Sequence, residues 1–153
     1  MDIMIRPLAE QDYDRMSYIM DQVQKMHVEW RPDVYREVSP LISRAYFAEI
    51  LKGNSWYVAE VNGVVAGILE LTERHIENPS HVTKNILFID TMAVDEAYRG
   101  KGIGHQFFEL AKELKKEKGF DSIELQVNAK NTQAYRMYKE CGFTEKSINM
   151  ELL

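Results

Sequence analysis

The segment Met92-Ala93-Val94-Asp95-Glu96-Ala97-Tyr98-Arg99-Gly100-Lys101-Gly102-Ile103-Gly104 constrains what this chain can fold into more than any other. An apolar strand gives way to a loop, then to a helix opened by three alternating glycines. Glycine lets bare backbone amides approach a ligand, and a helix start presents unpaired N–H groups and a positive dipole. Together these make a cradle for pyrophosphate; the plainer account is a tight strand-to-helix turn. No Gly-Lys-Ser/Thr follows at the spacing of a Walker loop. Nor do Gly100, Gly102 and Gly104 match the dinucleotide spacing G-x-G-x-x-G.

The rest of the chain supplies elements for a mixed α/β sheet. Ile3 to Arg6 is a strand candidate closed by Pro7. Asp12 is placed to cap a helix whose apolar positions Met16, Ile19, Met20, Val23 and Met26 recur at helical spacing. That helix is expected to break across His27 to Asp33, because Pro32 disfavours helix at the residue before it. A second helix is expected from about Ser43 to Leu51, ending at Gly53-Asn54. Trp56 to Val61 and Val64 to Leu71 read as strands joined at Asn62-Gly63, a two-residue hairpin signal. Glu73 to Lys84, polar and containing Pro79, reads as an irregular surface loop. Ile86 to Val94 is a strand apolar enough to be buried on both faces. The glycine-rich segment then opens a helix ending near Gly119, with Ile103, Phe107, Ala111 and Leu114 on its core face. A strand at Ile123 to Val127, a short helix from Asn131 to Cys141 closed by Gly142, and a closing strand pair from Phe143 to Leu153 complete the pattern.

Composition narrows the function. Of 153 residues, 45% are apolar and 28% charged, a profile that leaves disorder without support and fits one domain spanning 1–153. The formal net charge of −5 argues against nucleic-acid and membrane partners. A single cysteine, Cys141, rules out an intrachain disulfide and fits a reducing, cytoplasmic setting. With no base beside it in the sequence, Cys141 reads as a packed thiol. No basic leader and no apolar run of membrane-spanning length is present.

At this point the chain resembles the GCN5-related N-acetyltransferases. Their phosphate loop reads Arg/Gln-x-x-Gly-x-Gly/Ala, which Arg99, Gly102 and Gly104 fill. A second element follows at a typical distance, Asn131-x-x-Ala134-x-x-x-Tyr138-x-x-x-Gly142-Phe143. The resemblance runs from about Ile3 onward and is strongest from Ile89 to Phe143. It implies a central mixed, mostly antiparallel sheet of about six or seven strands flanked by helices. It also implies acetyl-coenzyme A as cosubstrate, no metal, and an amine acceptor that is a small molecule, protein or peptide, with a homodimer allowed. Backbone groups of Met92, Ala93 and Val94 would pair with the pantetheine arm. The amides of Arg99, Gly100, Lys101, Gly102, Ile103 and Gly104 would hold the pyrophosphate, with side-chain charge from Arg99 and Lys101. Asn131 would cap its helix and hydrogen-bond the cofactor.

Direct attack of an amine on the thioester has three needs. The amine must be neutral, although an alkylamine has a pKa near ~10.4. The developing oxyanion needs a donor, which a backbone N–H on the central strand supplies. The departing thiolate needs a proton, and Tyr138 matches the family's tyrosine for that role. Asp90 is the first candidate for the base, since strand alternation puts it on the face of Met92 and a carboxylate inside an apolar strand is costly unless used or paired. Pairing with a structural partner is the competing account. Glu70, Glu73 and His27 are weaker candidates. The segment Met20 to Arg36 and the loop Glu73 to Lys84 are expected to flank the acceptor's entrance. Rival readings are a noncatalytic acetyl-coenzyme A sensor and a toxin acting on charged tRNA; the acidic charge disfavours the second.

Overall fold

In the computed structural model, which describes residues 2–153, five strands form one sheet in chain order: β1 (Ile3–Pro7), β2 (Trp56–Val61), β3 (Val64–Asn78), β4 (His81–Val94) and β5 (Ser122–Leu125). The first four pair antiparallel and β5 joins β4 parallel. The β2–β3 turn uses Asn62 at φ 51° and Gly63 at φ 78°, the doubly left-handed geometry that favours Asn-Gly.

Two helices cover each face. On one side α1 (Tyr13–Trp30) and α2 (Arg44–Leu51) bury Met16, Ile19, Met20 and Phe47 against Val58, Val65, Ile68 and Ala93. On the other, α3 (Ile103–Lys118) buries Ile103, Phe107, Phe108 and Ala111 against Leu69, Leu71, Leu87 and Ile89. The last helix, α4 (Thr132–Glu140), adds Met137 and Tyr138 to that second cluster. Gly67 on β3 lets α3 press close. A Cβ there would stand 2.9 Å from Ile103 Cγ2 and 3.1 Å from Phe107 Cε2.

Several expectations need correction. The segment Glu73 to Lys84 is not an irregular loop but the far half of the β3–β4 hairpin, with Glu73 opposite Leu87 and Asn78 opposite His81. Its polarity reflects exposure rather than irregularity: the ladder's own hydrogen bonds hold a two-stranded ribbon whose side chains are mostly solvated. The sheet has five strands rather than six or seven, because residues 144–153 form no strand among the described residues and are exposed. Helix α1 persists through His27 to Trp30, so Pro32 acts only on the residue just before it. Asp12 does not cap α1 with its side chain. Its carboxylate instead accepts from the Ala9 amide at 2.8 Å and from both terminal nitrogens of Arg6 at 2.8 Å. Ser43 does cap α2, its Oγ accepting from the Tyr46 amide at 3.1 Å.

Candidate active site

The site begins where the sheet splits. Parallel pairing of β5 with β4 stops at Ile89 opposite Leu125. Beyond that point β4 keeps its partner β3 but has an open edge on the other side. The β3 ladder continues past the strand end, where the Asp95 amide donates to the Ala66 carbonyl at 2.8 Å. In an antiparallel pair alternate residues turn both backbone groups the same way, so Thr91 and Ala93 face β3 while Met92 and Val94 face the open edge. Ala93 therefore contributes to the groove without free main-chain groups, and its side chain packs under α1.

A groove of about 530 Å³ follows this edge and continues along the glycine loop to the start of α3 and the side of α4. Every expected cofactor-binding residue lines it except Lys101, whose ammonium lies 5.7 Å from the Tyr98 ring centroid. Gly100 at φ 75° and Gly102 at φ 90° take left-handed backbone that other residues rarely adopt, and Gly102 is the N-cap of α3. Ile103 is 1% exposed, so it offers the groove its main chain while its side chain anchors α3. Gly104 keeps α3 and α4 close, since a Cβ there would stand 3.3 Å from Met137 Sδ. Arg99 folds back, its Nε donating to the Val94 carbonyl at 3.3 Å. Asn131 Oδ1 accepts from the Ala134 amide at 3.2 Å, capping α4 as expected. A strand edge, a run of bare amides and a helix N-terminus in sequence suit a long ligand with a pyrophosphate in its middle.

Tyr138 also lines the groove. Its ring packs edge-on against Phe108 at 5.8 Å, and burial raises the phenol above its ordinary pKa. The hydroxyl forms no hydrogen bond among the described residues and is not fully buried, so it is available to the groove.

The carboxylates are arranged differently from the sequence expectation. Glu70 pairs with Thr91 and Leu71 with Ile89, leaving Asp90 as an extra residue in a β-bulge. Leu87, Ile89, Met92 and Val94 all join the α3 cluster, so Asp90 does not share the face of Met92. Thr72 Oγ1 donates to Asp90, and Arg74 approaches it at 3.3 Å while lying 3.4 Å over the Phe88 ring. Glu70, half-buried on β3, accepts from Thr91 Oγ1 at 3.2 Å. Burial and the nearby Asp90 charge raise its carboxyl above the ordinary range, against the lowering effect of Thr91. Glu73 is exposed and reaches Lys118 at 3.6 Å. His27 stacks on Tyr35 with ring centroids 4.6 Å apart, and burial lowers its pKa. Of the segment Met20 to Arg36, only Gln22 and Val23 line the groove.

Sequence reasoning missed the latch that fixes the loop. Asp95, 3% exposed, accepts from Arg15 Nη2, from Gln22 Nε2 at 3.0 Å and from the Ala97 amide at 3.1 Å. Burial works to raise its pKa, but these hydrogen bonds outweigh it and hold the carboxyl below its usual value. Gln22 Oε1 in turn accepts from the Glu96 amide at 3.0 Å, so α1 grips the loop from both sides of one side chain. Arg15 and Gln22 lie seven apart and hence on one helix face, which was the only signal available. Nothing in the sequence pointed to a partner 80 residues away.

Residues 20–143 match the acetyltransferase (GNAT) family. The chain belongs to that family. An uncharacterized N-acetyltransferase of Methanocaldococcus jannaschii is 32% identical over 108 residues, 69% of this chain and 47% of the relative. The chain thus spans about half the length of that curated relative. Among solved structures, a tetramutant of the BH1408 protein from Bacillus halodurans superposes with a TM-score of 0.88 at 28% identity, covering 98% of this chain and 99% of that one. The aminoglycoside N-acetyltransferase AAC(6')-Iy, solved in complex with the bisubstrate analog CoA-S-monomethyl-acetylneamine, gives a TM-score of 0.73 at 17% identity over 100% and 98% of the two chains. That likeness shows the fold. The GNAT fold here has a mixed sheet of five strands with two helices on each face. No helix among the described residues is long and apolar enough to cross a membrane.

Proposed function

We propose that this chain, acting as one cytoplasmic domain, transfers an acetyl group from acetyl-CoA to an amine acceptor by direct attack on the thioester. The observation that carries the reading is one continuous groove. It joins the open edge of β4 to the left-handed glycines Gly100 and Gly102, with the free hydroxyl of Tyr138 on the same wall. Acetyl-CoA brings an activated acyl group; the chain supplies position, charge and protons. Met92 and Val94 offer main-chain groups that extend the sheet along the pantetheine arm. A backbone N–H on that edge stabilises the charge that develops on the carbonyl oxygen. The amides from Arg99 to Gly104 hold the pyrophosphate, and Asn131 adds a polar contact. Tyr138, its pKa raised by burial, stays protonated at neutral pH and donates to the departing sulfur.

For the base, the proposal favours Glu70 over Asp90. Asp90 is engaged by Thr72 and Arg74, whereas Glu70 makes one hydrogen bond and its raised pKa makes it the stronger acceptor of a proton. The acceptor is a small-molecule, peptide or protein amine. The test is release of free thiol from acetyl-CoA across a panel of amines. Glu70 must be ionised to act, so the rate should rise with pH through its folded pKa, above the ordinary carboxylate value. Glu70→Gln should remove that limb and Asp90→Asn should keep it; the reverse pattern would return the role to Asp90. Tight CoA binding with no thiol release for any amine would favour a noncatalytic sensor.

A further inference from the structure

The arginines of this acidic chain divide sharply by place. Arg6, Arg15, Arg31, Arg44 and Arg74 each form an ion pair with a carboxylate. Arg36, Arg99 and Arg136 form none among the described residues, and two of these three, Arg99 and Arg136, line the groove. In a chain with 24 acidic and 19 basic side chains, leaving the groove's arginines without a carboxylate keeps positive charge available for an anion. Arg99 lies at the phosphate loop. Arg136 lines the groove from α4. His105 of α3 is fixed beside the same helix, its Nδ1 3.6 Å from Cys141 Sγ. Glu140, one turn along α4, lines this stretch without pairing to Arg136.

We infer that Arg136, flanked by His105, binds the 3′-phosphate of coenzyme A and makes the site prefer coenzyme A over its 3′-dephospho form. The inference rests on the acetyl-CoA reading above. With the pyrophosphate at Gly100 to Gly104, the rest of the nucleotide lies beside the next lining residue of α3, His105, and the facing lining residues of α4, among which Arg136 is the one cation. The one group there with enough charge to need a free guanidinium is the phosphomonoester. Arginine suits it because its planar fork donates two parallel hydrogen bonds to a phosphate.

Calorimetric titration of coenzyme A and of 3′-dephospho-coenzyme A tests this with the whole chain. Wild type should bind coenzyme A about tenfold more tightly than the dephospho form, the size of one charge-assisted contact at an exposed site. Arg136→Gln, a surface change, should lose that preference by weakening coenzyme A alone, with the affinity for the dephospho form unchanged. Arg36→Gln, outside the groove, should bind both as wild type does. Equal affinity of wild type for the two ligands, or an intact preference in Arg136→Gln, overturns the assignment while leaving the acetyl-CoA reading in place. Failure of wild type to bind either ligand overturns both.

Discussion

Replacing Asp95 by alanine removes a carboxylate that is 3% exposed and accepts from Arg15, Gln22 and the Ala97 amide. Breaking a buried, hydrogen-bonded charge pair costs about 3–5 kcal/mol, because the partner is left unpaired. Here the Arg15 side chain is 33% exposed and can recover water, and it retains the Val65 carbonyl at 2.9 Å, which favours the low end. The expected loss is about 3 kcal/mol, or a fall in Tm of roughly 6–12 °C for a domain of this size. The effect also has a pH signature. Asp95 has a folded pKa below its unfolded value, so its stabilisation is present above the unfolded carboxyl pKa of about 3.9 and is lost as pH falls through the folded value. The gap between wild type and Asp95→Ala should therefore be constant near neutrality and close in acid. Urea unfolding at several pH values measures it, with Asp33→Ala as a control: that carboxyl is held near 2 by Arg31, but Asp33 is an exposed surface residue and Arg31 keeps its second partner Glu151, so the loss should leave the midpoint nearly in place. A loss under about 1 kcal/mol for Asp95→Ala would refute the reasoning. So would a Gln22→Ala and Asp95→Ala cycle that is strictly additive, since residues sharing a hydrogen bond should couple.

Two further outcomes follow from the groove. Tyr138→Phe should lower kcat roughly ten- to a thousandfold with little change in coenzyme A affinity, which single-turnover kinetics and calorimetry will separate. Gly102→Val places a β-branched residue at φ 90° on the helix cap, and should weaken coenzyme A binding strongly in a chain that still folds; unchanged affinity would remove the phosphate cradle.

The parts legible in the sequence were those governed by local chemistry. Asn62-Gly63 announced its turn, Gly119 and Gly142 their left-handed caps, and the period of Ile103, Phe107 and Ala111 the buried face of α3. That Gly100, Gly102, Gly104 and Tyr138 would meet at one groove was legible because their spacing is local as well. What was hidden depends on pairing across the sheet. Polar residues from Glu73 to Lys84 look like a loop until the ladder is seen, because exposure on both faces of a ribbon erases the alternation that marks a strand. The proposed preference for Glu70 over Asp90 rests on cross-strand register and burial, neither of which composition carries. Asp95 looked like an ordinary loop aspartate because its donors sit on a helix about 80 residues away.

The bulge at Asp90 acts as a phase slip in the central strand. Upstream, odd-numbered Leu87 and Ile89 point to the α3 side; downstream, even-numbered Met92 and Val94 do. One extra residue thus reconciles two hydrophobic patterns that a regular strand would hold on opposite faces. Forcing this strand into a regular ladder with Asp90 retained would invert one half, driving Met92 and Val94 toward α1 or Leu87 and Ile89 away from α3. It would also turn the outward-facing main-chain groups of Met92 and Val94 back toward β3. Any graft or recombination across β4 must therefore keep this phase, either by carrying the bulge or by omitting its one extra residue, since parity, rather than side-chain identity, decides which residues meet the groove.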